Sequence, residues 1–163
     1  MEAGNYADAK NYLSRAAKLN ADAAEVNTNL GMIALIEGNV ADAENYLVKG
    51  TDSDANAAAL GNLYVAQGQY DRAVSAFGET KSNAAALAQI MAEQYTAANN
   101  TLEAVENADA YTYYLKAIVA ARTDKATAVA ENLVQAVKLD ASLAEKAKKD
   151  MEFKKFAAAL VNL

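Results

Sequence analysis

Apolar residues recur at offsets of three and four along most of the chain, which is the pattern of amphipathic helices. The clearest stretch is 60–77, LGNLYVAQGQYDRAVSAF, where Gly68 separates two such patterns. The faces they form contain Leu60, Gly61 and Tyr64 in the first pattern, and Tyr70, Ala73 and Phe77 in the second. The stretch therefore predicts two short antiparallel helices that meet at a tight turn.

Glycines have distinct predicted roles in this unit. Gly61 would cost about 1 kcal/mol relative to alanine inside a helix, so we interpret it as a point of close approach between helices. Ala73 is then the predicted small residue opposite Gly61. Gly68 is predicted to lie at the corner of the turn, and Gly38 is predicted to end its helix in the left-handed conformation, which glycine adopts without strain.

The same unit recurs along the chain. Its copies are Gly4-Asn5-Tyr6 with Ala9 and Leu13, Gly38-Asn39-Val40 with Ala43 and Leu47, and Gly68-Gln69-Tyr70 with Ala73 and Phe77. The three glycines are 34 and then 30 residues apart. A period near 34 with these residues resembles the tetratricopeptide repeat family. The resemblance is clear from Gly4 to Thr80 and degenerate afterwards; the family's proline is absent, and the third repeat is about four residues short.

The resemblance implies an all-α fold, an α-solenoid of stacked antiparallel helix pairs that form a superhelix, with about 11 helices. We expect one repeat domain over residues 1–163. Its parts are a half repeat at 1–20, clear repeats at 21–50 and 51–81, a degenerate repeat at 82–107, a repeat at 108–141, and C-terminal capping helices at 142–163. Because the chain starts halfway through a repeat, we expect it to be a piece of a longer protein.

Several polar residues are predicted to cap helices. They are Asp22, Asn39, Asp54, Ser142 and Asp150. The helix after Asp150 is predicted to carry one apolar stripe, formed by Phe153, Phe156, Leu160 and Leu163. Four nearby lysines at positions 148, 149, 154 and 155 form either a solvated cap or a docking patch.

Composition limits the possible functions. Hydrophobic residues make up 53% of the 163 positions, with no proline, cysteine or histidine. The chain therefore lacks a thiol nucleophile and the commonest general base and metal ligand. A net charge of −6 disfavours nucleic acid as a partner. No apolar run approaches the roughly 18 to 20 residues that span a bilayer, so we expect no membrane insertion.

Candidate chemical sites are weak. Residues 52–56 place oxygen ligands as in a calcium loop, but Ala57 and Leu63 occupy the positions that need glycine and glutamate. Asn99-Asn100-Thr101 fits a glycosylation sequon inside a predicted helix. We expect no catalytic residue, no cofactor and no metal.

The family resemblance implies a concave groove lined by the first helix of each repeat. Its predicted members are Thr28, Asn29, Met32, Ile36, Asn62, Val65, Gln89, Tyr111, Tyr114, Ile118 and Arg122. Asparagine, methionine and tyrosine combine adaptable hydrogen bonds with apolar contact. The alternative is that Met32, Ile36 and Ile118 are core residues between helices.

We therefore expect a non-catalytic interaction module that binds a peptide or protein segment of another protein in this groove. The alternative is a structural spacer or self-association module within a larger assembly, which could form a homodimer through the uncovered helix Tyr6 to Leu19. An enzyme is a third class, and nothing in the residues supports one.

Overall fold

The computed structural model describes residues 6–161 and 163 and shows only helices, turns and loops there. Its helices are α1 Tyr6–Leu19, α2 Ala24–Ile36, α3 Val40–Leu47, α4 Asp54–Ala66, α5 Tyr70–Phe77, α6 Asn83–Met91, α7 Tyr95–Glu103, α8 Ala110–Arg122, α9 Ala126–Leu139, α10 Leu143–Lys149, a 3₁₀ helix Met151–Phe156, and α11 Ala157–Leu160. The predicted all-α fold class of antiparallel helix pairs, with about 11 helices, is confirmed. Gly4 and Asn5 lie outside the described residues.

The chain divides into two compact units, Met1–Gly78 and Glu79–Leu163. In the first unit α2 pairs with α3 and α4 with α5, while α1 packs on α2. In the second unit α6 pairs with α7 and α8 with α9, and α10, the 3₁₀ helix and α11 follow. We call the first helix of each pair the A helix and the second the B helix. The single repeat domain and its repeat boundaries stay predictions.

The turn between A and B helices has the same geometry in all four pairs. The residue with positive φ, which we call the corner, is Gly38 at +74°, Gly68 at +71°, Glu93 at +59° and Asp124 at +58°. After each corner, a backbone N–H bonds the carbonyl five residues earlier at 2.8 to 2.9 Å. This bond satisfies a carbonyl that the helix end leaves free. The corner therefore persists where glycine has been lost.

Each helix pair crosses at a small A-helix residue seven positions before the corner. These residues are Gly31, Gly61, Ala86 and Ala117, and all are buried. A Cβ added at Gly31 would lie 2.6 Å from Leu47 Cγ, and one at Gly61 would lie 2.6 Å from the Phe77 ring. The close approach is confirmed, but the prediction of Ala73 opposite Gly61 is wrong. Phe77 lies closest, because the ring extends into the space that a Cβ would fill.

The N-cap predictions are confirmed at two positions. Asn39 Oδ1 accepts from Asp42 N at 3.4 Å, and Asp150 Oδ1 accepts from Glu152 N at 3.0 Å. Ser53 rather than Asp54 caps α4, and neither Asp22 nor Ser142 makes a side-chain cap bond. The caps predicted at Asp22 and Asp54 are each one residue from the observed N-cap position, and Ser142 lies at that position without the side-chain bond. A sequence locates a helix start only to within a residue or two.

The C-terminal helix is also corrected. The predicted single helix after Asp150 is a 3₁₀ helix followed by the short α11. The apolar stripe is nevertheless confirmed. Phe153 and Phe156 are buried with Tyr114 and Leu133, and Leu160 and Leu163 pack against the same cluster.

Candidate binding face

The A helices share a pattern of burial that leaves one face uncovered. Residues seven and five positions before each corner are buried in all four A helices. The residues six and two positions before the corner are not. They are Met32, Asn62, Leu87 and Ile118 in one row, and Ile36, Ala66, Met91 and Arg122 in the other. We call these eight positions the open face, considered separately in each unit.

Large apolar side chains occupy the open face. Ile36 on α2 is 58% exposed and Met91 on α6 is 42% exposed. Met32, Leu87 and Ile118 are half-buried. The alternative of a core role is therefore wrong for Ile36, and Val65, another predicted groove residue, is half-buried.

The predicted asparagines of the first unit are accessible. Asn29 is exposed, and its Nδ2 donates to the Glu25 carbonyl of the same helix at 2.8 Å. Asn62 is exposed at the position that Met32 occupies in the preceding A helix. The open face of this unit therefore combines amides with apolar side chains.

Thr28 has a different role in the same unit. It is buried, its Oγ1 accepts from Thr51 N at 2.9 Å, and it donates to Asn56 Oδ1 at 3.1 Å. Asn56 Nδ2 in turn donates to the Leu47 carbonyl at 3.0 Å. These bonds tie the loop after α3 to α2 and α4, so the hydrogen-bonding capacity of Thr28 is used inside the unit.

Tyr114 lies in the core of the second unit. Its hydroxyl donates to Asp150 Oδ2 at 2.7 Å, and its ring meets the Phe153 ring edge-on at 5.5 Å. Burial and this bond to a carboxylate raise the pKa of Tyr114. Tyr111, 37% exposed, stacks beside it at 6.5 Å, with Lys146 Nζ 5.6 Å from the Tyr111 ring. Of these two tyrosines, only Tyr111 is accessible to a partner from solvent.

Arg122 and Gln89 complete the predicted set. Arg122 Nε donates to Glu152 Oε2 at 2.6 Å, and this bond raises the pKa of the guanidinium. The arginine therefore has a partner within its own unit. Gln89 is 8% exposed, and its buried Oε1 has no hydrogen-bond partner among the described residues. The groove role of every predicted residue stays a prediction.

Two of the large apolar open-face residues were missed from the sequence, Leu87 and Met91. Both are identified by counting back from the corner at Glu93, six and two positions respectively. Without glycine at that corner, the register of the third pair is harder to recognise in the sequence. Because glutamate favours helices, the residue type at position 93 does not indicate a turn.

A second feature of the first unit lies between its B helices. Arg72 of α5 sits 4.0 Å over the Tyr64 ring, and its Nη2 donates to Glu44 Oε1 of α3 at 2.7 Å. The bond from Arg72 lowers the pKa of Glu44. A cavity of about 460 Å³ borders this cluster, lined in part by Val48 and Leu60. The cluster links α3 to α5 across α4 and so holds consecutive helix pairs together.

These helix pairs, with their shared corner and crossing, define an all-α helical repeat protein. A family model described as Tetratricopeptide repeat matches residues 1–58. This match supports the predicted resemblance to tetratricopeptide repeats and covers about a third of the chain. Such repeats are generally protein-interaction modules, and the family is typically non-catalytic. A comparison with curated proteins finds no match. No helix within the described ranges is long and apolar enough to cross a membrane.

Proposed function

We propose that the chain is a non-catalytic scaffold and that the open face of its A helices binds a segment of another protein. One observation supports this proposal above all. At two fixed positions of the A helices, large apolar side chains are either exposed, as Ile36 and Met91 are, or only half-buried, although the residues on either side of the first position are buried. Exposed apolar side chains gathered on one face are typical of interaction surfaces.

The chemistry of the open face suggests the kind of segment it binds. Met32 and Ile36 lie one turn apart on α2, as do Leu87 and Met91 on α6, so each pair offers an apolar strip about one helical turn long. Methionine adapts to differently shaped partners, and Asn29 and Asn62 can bond a peptide backbone. An extended or helical segment with apolar side chains at matching intervals would suit this surface.

Charge contributes little to this surface in the first unit. Neither α2 nor α4 contains lysine or arginine, and each contains one acidic residue, in its first turn. Binding should therefore depend weakly on ionic strength. A ligand held mainly by its C-terminal carboxylate is disfavoured for the same reason.

The test starts with peptides selected from a random display library on the purified chain. Ile36→Asp should weaken the selected peptides at least about tenfold, which corresponds to about 1.4 kcal/mol. Val48→Asp is the matched control, because Val48 is 61% exposed but lies at the end of a B helix. Affinity should change less than about twofold between 0.15 and 0.5 M salt. Failure to enrich any peptide, or equal weakening by both variants, would count against the proposal.

A spacer or self-association module is the competing function. It is favoured by the exposure of Tyr12, 70%, and Leu19, 91%, on α1. Light scattering at tens of micromolar separates the two functions. A monomer that still binds the selected peptides supports the scaffold, and a dimer that binds none supports self-association.

A further inference from the structure

Two A-helix residues, each ten positions before the corner of its pair, bond the loop that leads to the next A helix. In the first unit this residue is Thr28, whose Oγ1 accepts from the Thr51 N–H in the loop between α3 and α4 at 2.9 Å. In the second unit it is Asn83, whose Nδ2 donates to Asp109 Oδ1 at 3.0 Å. Asn83 Oδ1 is buried and has no hydrogen-bond partner among the described residues. The loop between α7 and α8 therefore lacks the N–H bond that holds the loop between α3 and α4.

A cavity of about 420 Å³ borders both Asn83 and the loop between α7 and α8. It is lined by Lys81, Ser82, Asn83 and residues 104–107 of that loop. A buried acceptor without a donor is disfavoured in a folded protein, because the acceptor has lost its hydrogen bonds to water. A movement of the loop across this cavity would bring a backbone N–H to Asn83.

A glycine allows the loop between α3 and α4 to lie close to its A helices. At Gly50, twelve positions after the corner, an added Cβ would overlap Asn56 Oδ1 and lie 2.5 Å from Thr28 Oγ1. The φ of Gly50 is not positive, so glycine is needed there for space rather than for backbone conformation. The same count from the corner at Glu93 gives Val105, which is half-buried and lines the cavity. No residue from 104 to 109 is glycine, so a side chain occupies the space that close approach would need.

We propose that the loop between α7 and α8 is a lid with an open and a closed position, and that Val105 favours the open one. In the closed position the N–H of Glu106 bonds Asn83 Oδ1. Glu106 lies thirteen positions after its corner, as Thr51 does in the first unit.

The loop is long enough for this movement. Seven positions separate the buried Leu102 from Asp109, the N-cap of α8. Only six separate the corresponding Leu47 from Ser53, the N-cap of α4. The additional residue lets the loop change position while both helix ends stay in place.

Closure of the lid would strengthen the attachment of α8 to α6. In the open position, the Asn83 side chain reaches α8 through its bond to Asp109, which caps the helix by accepting from Thr112 N at 2.8 Å. A second bond from the loop to the same asparagine would hold the start of α8 more firmly. The lid therefore sets how rigidly the third and fourth helix pairs are joined within the second unit.

Amide hydrogen exchange of the full chain, measured for each residue by NMR, tests the lid. Val105→Gly should slow exchange of the Glu106 amide at least about tenfold, because the loop can then close. Val105→Ala is the matched control, since it keeps the Cβ and should leave this rate within about twofold of the parent chain. Combining Val105→Gly with Asn83→Ala removes the acceptor and should restore the parent rate.

The loop between α3 and α4 provides the reverse experiment. Gly50→Ala should speed exchange of the Thr51 amide at least about tenfold, because the added Cβ would displace the loop from Thr28 Oγ1. Lys49→Ala, at the neighbouring exposed residue, should leave the Thr51 rate unchanged. Circular dichroism of every variant checks that the helices are intact.

Four results would overturn the proposal. Three concern the Glu106 amide: no slowing in Val105→Gly, equal slowing in Val105→Ala, or slowing that persists when Asn83→Ala is added. The fourth is an unchanged Thr51 rate in Gly50→Ala, which would show that a side chain at this position does not hold the loop away. The binding function proposed for the open face does not depend on any of these outcomes.

Discussion

The crossing of α4 and α5 predicts a coupling between two substitutions, Gly61→Ala and Phe77→Leu. A Cβ at position 61 would lie 2.6 Å from ring carbons of Phe77, so the ring would have to move by about 1 Å to reach ordinary contact. Phe77 is 2% exposed and has little room to move. Such overpacking costs about 1–3 kcal/mol, while replacing glycine by alanine in a helix gains about 1 kcal/mol.

The effects of the single substitutions on stability are therefore not expected to add in the double variant. Gly61→Ala should lower the free energy of unfolding by about 1 kcal/mol, and Phe77→Leu by about 1 kcal/mol through lost burial. In the double variant the ring is absent, the overpacking disappears, and the unfolding free energy should return close to that of the parent. The predicted coupling is about 2 kcal/mol in favour of the pair. The double variant would place alanine in the A helix and leucine in the B helix. The second unit already has this combination, buried, in Ala86 with Leu102 and in Ala117 with Leu133.

Urea denaturation followed by far-ultraviolet circular dichroism measures the cycle. Gly68→Ala combined with Phe77→Leu is the control, because a Cβ at Gly68 meets nothing within 4 Å and acts only through its positive φ. That control cycle should be additive within about 0.5 kcal/mol. Additive effects in the Gly61 cycle would refute the close crossing.

Three other substitutions test particular contacts. Glu93→Gly should raise the free energy of unfolding by about 0.5–1 kcal/mol in urea denaturation, because φ at this corner is +59°. Asp109 accepts hydrogen bonds from the backbone N–H and from the hydroxyl of Thr112. These bonds, the backbone one first, hold the pKa of the Asp109 carboxyl below its usual range. The resulting stabilisation is complete above about pH 4 and is lost as pH falls through the lowered pKa, so the stability difference from Asp109→Asn, measured between pH 2 and 7, should shrink in acid. Tyr114→Phe should lower the free energy of unfolding by about 1–2 kcal/mol in thermal unfolding, because Asp150 loses its donor.

Each of these has its own control. Glu106→Gly, in a loop, should not stabilise the chain as Glu93→Gly does. A stability difference for Asp109→Asn that is constant with pH would contradict the lowered pKa. Tyr111→Phe, at an exposed ring, should change stability by less than about 0.5 kcal/mol, and an equal effect of both tyrosine variants would contradict the role of the Asp150 bond.

The fold was predictable because the helix pattern and the glycine corners are local features of the sequence. The turns at Gly38 and Gly68 lie where the sequence predicts them, between α2 and α3 and between α4 and α5. The close crossing at Gly61 also followed from residue type, since glycine inside a helix is costly without a packing reason. The 3₁₀ helix Met151–Phe156 was not predictable, because its apolar spacing also suits an α-helix.

The candidate site was less predictable because burial depends on contacts distant in sequence. Thr28 and Tyr114 have the residue types of a binding surface, but Asn56 and Asp150 bond them within their units. Those partners lie 28 and 36 residues away, beyond any local pattern. Leu87 and Met91 were missed for another reason, since their register depends on a corner that glycine does not mark.

The most direct measurement of the proposed open face is methyl NMR of the full chain with a selected peptide. Isoleucine, valine and methionine methyl groups sample both sides of the helix pairs. The peptide should shift the methyl signals of Met32 and Ile36, or those of Met91 and, in a leucine-labelled chain, Leu87. The methyl signals of the exposed Val48 should not move. Shifts confined to Val48 and the other B-helix methyl groups, with the open-face signals unmoved, would contradict the central claim that the A helices present the binding surface.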